Sequence, residues 1–134
     1  MPVHTPSHWC LLVCNMKHCR WDFYDSLPHS RHRSSLSSLV GSFIEDADSA
    51  LPPNMLDWKI EPVEGIPKQR NGTDCGMFVL KFMEAALSTS EITWEKNKDW
   101  QDEMPRFRAE IAAGFFRVFH ELILSNVPGH NMNE

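Results

Sequence analysis

No stretch of the chain approaches the roughly 20 consecutive apolar residues that a membrane-spanning helix requires. The opening residues, Met1-Pro2-Val3-His4-Thr5-Pro6, lack the basic start and apolar run of a secretory signal, so a cytosolic or nuclear location is expected. Positive charge is also in short supply: 13 Lys and Arg stand against 18 Asp and Glu, a net charge of −5. No domain-wide basic field exists to hold phosphates, which argues against general nucleic-acid binding. The one basic cluster, Arg31, His32 and Arg33, sits among serines and reads as a solvated loop. Disorder is disfavoured in turn, because 42% of the residues are hydrophobic and 23% charged. At 134 residues the chain is one domain or a piece of one.

Cysteine is scarce as well. Only Cys10, Cys14, Cys19 and Cys75 occur, and in a cytosolic or nuclear setting all four are expected to be reduced. A zinc module built from Cys10, Cys14, His18 and Cys19 is a rival reading. Structural zinc prefers tight Cys pairs on loops or knuckles, whereas Cys10 and Cys14 lie inside an apolar run. No metal and no cofactor is therefore expected. Asn71-Gly72-Thr73 matches a glycosylation sequon, but without a secretory signal the match carries no weight.

The remaining sequence is well patterned. Residues 8–14 are short, bulky and apolar, as in a strand buried on both faces. Residues 21–25 alternate and read as a second strand, joined to the first through a polar turn at 15–20. Leu36, Leu39, Val40, Phe43, Ile44 and Ala47 follow the spacing of an amphipathic helix from Ser35 to about Ala50, stopped by Pro52-Pro53. A short strand is expected at 57–61, then a loop punctuated by Pro62, Gly65, Pro67 and Gly72. Residues 75–87 are apolar nearly all round, the mark of a central helix. Pro105 is placed in the first turn of a last helix, with Phe107, Ile111, Phe115, Val118, Phe119 and Leu122 along one side. Residues 126–134 form a tail, expected to fray. No internal repeat is visible, and the order β-β-α-β-α-α predicts an α+β domain over residues 1–125.

Chemistry concentrates at few positions. Cys75 opens the apolar helix, with Asp74 before it as a candidate N-cap. A thiol there faces unpaired N–H groups and the positive end of the helix dipole, which favour a thiolate; a plain core cysteine is the alternative. A thiol protease also needs a base, an orienter and donors for the oxyanion. His8 starts the first strand and Asp25 closes the second, so a hairpin would bring them to one end. Gln69, six positions before Cys75, is a candidate donor alongside the Cys75 N–H. Taken singly, a strand His is more often structural, Asp25 could be a turn residue, and Gln69 says almost nothing.

Together they form a pattern. Residues 6–14 (Pro-Ser-His-Trp-Cys-Leu-Leu-Val-Cys), 24–27 (Tyr-Asp-Ser-Leu) and 69–76 (Gln-Arg-Asn-Gly-Thr-Asp-Cys-Gly) resemble the signature blocks of the ubiquitin-like-protein-specific cysteine proteases. These are the SUMO and NEDD8 proteases, distantly related to the adenovirus endopeptidase, and their order is His, Asp, Gln, Cys. The resemblance covers about residues 4–125, with the Gln-x-x-x-x-Asp-Cys-Gly block the most specific part. It implies a papain-like fold of the adenain and SUMO-protease type with its N-terminal part missing, since only seven residues precede His8. It implies His8 as general base, Asp25 as its orienter, Cys75 as nucleophile and Gln69 as oxyanion donor. Trp9 matches the aromatic lid over the channel that takes a Gly-Gly tail, although it could also be an ordinary core aromatic. The implied partner is a ubiquitin-like modifier, SUMO or NEDD8, handled by a monomer without nucleic acid or membrane. Rival readings are an inactive relic that at most binds such a modifier, and a different deubiquitinating protease, which the His-first order disfavours.

Overall fold

The structure, a computed structural model, describes residues 1–27, 36–47, 51–52, 54–88, 94 and 99–125. It divides into two compact units, Met1–Gln101 and Asp102–Glu134. The tail at 126–134 and the basic cluster at 31–33 lie outside the described residues.

The first unit is built on a four-stranded sheet in the order β1-β2-β3-β4. Strand β1, Pro2–Thr5, is not anticipated by the sequence reading. Its pattern has period two, with Val3 and Thr5 buried and Pro2 and His4 exposed, but four residues ending at a proline give a weak signal. It pairs antiparallel with β2, His8–Asn15, from Pro2 opposite Leu11 to Thr5 opposite His8. Pro6 and Ser7 make the turn. Ser7 takes φ 63°, the left-handed value that the third position of a type II turn requires, and Pro6 suits the position before it.

β2 pairs antiparallel with β3, Arg20–Tyr24, through the expected hairpin. Leu12 lies opposite Phe23 and Cys14 opposite Trp21, so these four share one face. Val3, Cys10, Leu12, Trp21 and Phe23 there meet Leu36 and Val40 of α1, Leu36–Asp46, together with Met55 and Trp58. Leu11 and Tyr24 share the other face, where the Tyr24 ring lies 5.4 Å from that of Phe82 in α2, Cys75–Leu87. Helices on both sides explain why β2 is apolar throughout rather than alternating.

The strand expected at 57–61 is corrected. Met55–Asp57 form a single tight helical turn and β4 is Ile60–Pro62, parallel to β3. Trp58 and Ile60 look strand-like in sequence, yet the Trp58 N–H closes the turn onto the Met55 carbonyl, and the Trp21 indole N–H donates to the same oxygen. α1 ends four residues short of the expected Ala50, and residues 48–50 lie outside the described residues.

α3, Trp100–Ser125, begins before Pro105, not at it. Asp99 supplies the start by accepting from the Gln101 N–H at 2.9 Å, and Asp102 and Glu103 suit the positive end of the dipole. Trp100 joins Phe78, Phe82 and Trp94 in one aromatic cluster. In the second unit Met104 and Phe107 are buried, whereas Phe115, Phe116, Val118, Phe119 and Leu122 are more than half exposed. Of the stripe expected to pack along one side, only Phe107 is buried. The described residues of that unit form one helix, which has nothing of its own to bury the stripe against.

Candidate active site

His8 follows the tight turn at Pro6-Ser7, and the Thr5 hydroxyl donates to its carbonyl at 3.2 Å. The imidazole is 3% exposed and its Nε2 lies 2.7 Å from Asp25 Oδ1. Seventeen positions apart in sequence, the two are brought together because the hairpin sets the start of β2 beside the end of β3. Asp25 is itself held. Oδ1 accepts from the Leu27 N–H at 2.9 Å, and its backbone carbonyl accepts from Lys68 Nζ at 2.7 Å. A carboxylate oxygen on Nε2 selects the tautomer with its proton there, which leaves the Nδ1 lone pair as the basic site.

The loop carrying Gln69 is tied to the same strand end. The Gln69 N–H donates to the Ser26 carbonyl at 2.8 Å and the Ser26 hydroxyl donates to Gln69 Oε1 at 2.5 Å. Gln69 Nε2 gives one hydrogen to the Asn71 carbonyl at 2.6 Å, so the buried amide is fixed with its second N–H still to place. The ties through Ser26, Lys68 and Asn71 are absent from the sequence reading. A short polar side chain next to a candidate Asp was the only signal available.

Cys75 is the first residue of α2 and is 8% exposed. Asp74 holds the N-cap position and its carbonyl accepts from the Phe78 N–H, but its carboxylate makes no capping bond. Asp74 Oδ2 instead accepts from Asn71 Nδ2 at 2.7 Å and from the Gln101 side chain. Asn71 Oδ1 accepts from the Thr73 and Asp74 N–H groups, both at 3.1 Å. The residues before Cys75 thus form a knot of side-chain and backbone bonds that fixes where the helix begins. This corrects the simple capping role expected of Asp74: the carboxylate anchors the loop rather than the helix end.

Cys10 lies two residues along β2 from His8, on the same face, with no exposed surface. Burial pushes its thiol up to about 12, and the negative charges of Asp25 and Cys75 push in the same direction. Cys10 is thus close enough to both to feel them while staying protonated. Trp9 points to the opposite face from His8, is 42% exposed, and lies with its ring 4.6 Å from that of His4. Among the described residues no group of three or more His, Cys, Asp or Glu is placed to hold a metal ion.

The model of the Ulp1 protease family, C-terminal catalytic domain, matches residues 1–121. The chain belongs to this family. Among its relatives, ubiquitin-like-specific protease 1A of Arabidopsis thaliana is 32% identical over 114 residues, covering 84% of this chain and 22% of its own length. Sentrin-specific protease of Caenorhabditis elegans is 34% identical over 116 residues, covering 83% of this chain and 15% of its own. Sentrin-specific protease 2 of Pongo abelii is 28% identical over 130 residues, with 92% and 20% covered. The chain therefore spans about a fifth of the length of these relatives. In this Ulp1-family chain β2 carries His8, Asp25 directly follows β3, and α2 opens on Cys75.

Proposed function

We propose that this chain supplies the thiol, base and orienter of a cysteine protease that cleaves after the C-terminal Gly-Gly of a ubiquitin-like modifier, SUMO or NEDD8. The observation that carries the reading is the buried 2.7 Å contact between His8 and Asp25 in a Ulp1-family chain. Asp25 holds the Nε2 proton and leaves Nδ1 to take the proton of the Cys75 thiol. The thiolate adds to the carbonyl carbon of the terminal glycine. The Cys75 N–H and the second hydrogen of Gln69 Nε2 are the donors for the oxyanion that forms. As the tetrahedral species collapses, the His8 imidazolium returns its proton to the leaving amine, leaving a thioester. Water, deprotonated by His8, then adds to the thioester, and the thiol and the modifier's carboxylate are released. Trp9 serves as the flat lid that admits only glycines. A leaving lysine ε-amine makes the reaction deconjugation, and a peptide amine makes it maturation.

The test is to incubate the purified chain and its Cys75→Ala form with SUMO, NEDD8 and ubiquitin carrying an electrophile at the C-terminal glycine. A covalent adduct with SUMO or NEDD8 that vanishes in Cys75→Ala is the expected result. A folded chain that labels with none of the three would overturn the reading in favour of a non-catalytic modifier-binding chain, and labelling by ubiquitin alone would make it a deubiquitinating enzyme.

A further inference from the structure

At the end of β3 away from Asp25, a cavity of about 340 Å³ opens between α1 and the β4 edge. Ile60, one of its walls, pairs with Trp21 at the start of β3, so about 13 Å of strand separates it from the Asp25 end. Its lining is Ser37 and Val40 from α1 with Leu56, Trp58, Lys59 and Ile60. Two features set it apart from an ordinary surface dimple. The Trp58 indole N–H is buried and has no hydrogen-bond partner among the described residues, so a desolvated donor is left unsatisfied there. Trp21, its neighbour in the same core cluster, donates its N–H to the Met55 carbonyl. Leu56 meanwhile stays mostly exposed beside the cavity.

Among the described residues of the lining, Lys59 brings the only charged side chain, an ammonium, beside the Ser37 hydroxyl, and none is a carboxylate. Between them lie the aliphatic surfaces of Val40, Leu56 and Ile60. Such a wall fits a ligand with an aliphatic part and an anionic, acceptor-rich part. The sheet edge adds a third constraint. In the parallel ladder the Lys59 carbonyl and the Val63 N–H bond to Trp21 and Phe23 of β3, which turns the N–H and C=O of Ile60 to the outer side. Pro62 has no N–H, so beyond the exchange at Ile60 an added strand finds only the Pro62 carbonyl to donate to.

We infer that the cavity bounded by Trp58, Lys59 and Ile60 is a second binding site, which takes an extended segment of a partner protein bearing an aliphatic side chain next to an acidic one. The segment lies along β4, bonds to the Ile60 backbone, seats its aliphatic group against Val40, Leu56 and the Trp58 ring, and brings its carboxylate to Lys59. This site is independent of the protease reading, because its occupancy can be read without turnover.

The experiment uses the ¹⁵N-labelled chain, whose five tryptophans give five indole N–H signals, with Trp58 assigned by Trp58→Phe. The probe is the acetylated, amidated peptide Glu-Val-Ile-Asp-Val-Glu; the control peptide carries Lys in place of each acid. The acidic peptide is expected to move the Trp58 indole signal. In fluorescence anisotropy, Lys59→Glu should weaken its binding by about tenfold, and the basic peptide should bind the wild type no better than that variant. Lys59 is exposed, so the substitution leaves the core untouched, and Leu56→Asp provides a second exposed variant expected to weaken binding similarly. Labelling by the modifier probes should be unchanged in both variants. A Trp58 indole signal that stays put at about 1 mM peptide, or equal binding of the two peptides, overturns the site.

Discussion

At the scale of single residues, Cys10 shows what burial does to a thiol in this sheet. Cys10 is sealed in the sheet and kept protonated by burial. With iodoacetamide at pH 8, alkylation of the folded chain should spare Cys10, and peptide mass mapping would reveal a failure of that expectation. Stability should register the same burial. Burial pushes the folded thiol up to about 12 from the ordinary 9.0, so between these limits the unfolded chain has lost a proton that the folded chain retains. The Cys10 contribution is therefore full below pH 9 and declines as pH rises toward 12, by up to roughly 4 kcal/mol. Urea midpoints from pH 8 to 10.5 should fall more steeply for the wild type than for Cys10→Ala; parallel curves would show that the thiol titrates normally. For the His8–Asp25 pair, Asp25→Ala should lower turnover of a modifier substrate by about 10³–10⁴-fold without abolishing it. Undiminished turnover in that variant would remove Asp25 from the mechanism.

At the scale of elements, legibility followed the length and strength of each pattern. The two-faced burial of β2 and the bounds of α2 could be read directly, because continuous apolar runs of those lengths leave few alternatives. β1 could not, since four residues ending at Pro6 are shorter than any reliable period, yet its turn is what positions His8. The strand misplaced at 57–61 shows a local competition: Trp58 and Ile60 alternate as in a strand, but the backbone bond from Trp58 to Met55 tightens the chain into a turn first. Pro105 obscures the start of α3, because its preference for a first turn draws the expected start to it, whereas the helix begins at Trp100 behind Asp99. In the candidate site, the His, Asp, Gln and Cys positions were legible only as a set. The knot of Asn71, Asp74 and Gln101 was not, because it joins residues 27 positions apart through side chains that carry no pattern. Asn71→Ala removes an acceptor from two backbone N–H groups at the mouth of α2. It should cost about 1–3 kcal/mol of stability by urea unfolding and slow probe labelling of Cys75, since the helix start loses its anchor. A labelling rate equal to wild type would show that α2 is positioned from elsewhere.

At the scale of the whole molecule, the distribution of apolar surface is uneven. The first unit buries large side chains on both faces of the sheet and exposes others only at scattered positions such as Met16, Leu56 and Leu87, whereas the second carries Phe115, Phe116, Val118, Phe119 and Leu122 more than half exposed on one helix. Ile111, Phe115, Val118 and Leu122 are spaced four, three and four apart, the period of a helix that expects a neighbour. Helices in proteins draw most of their stability from packing such a face, and contiguous apolar surface of this kind drives association. The chain is thus expected to depart from the monomer that its sequence suggests. Its sedimentation coefficient should rise with concentration over about a hundredfold range, as mass action requires of a reversible assembly. Replacing Phe115, Phe119 and Leu122 together with glutamine keeps helix-forming side chains while removing the apolar stripe. That variant should sediment as a monomer throughout, with a urea midpoint that matches the wild type only at concentrations where the wild type is also monomeric, because assembly stabilises the folded chain and the replaced groups are exposed in the monomer. A wild-type chain that is monomeric at every concentration would mean that the stripe is already satisfied, and the triple variant should then lose stability instead.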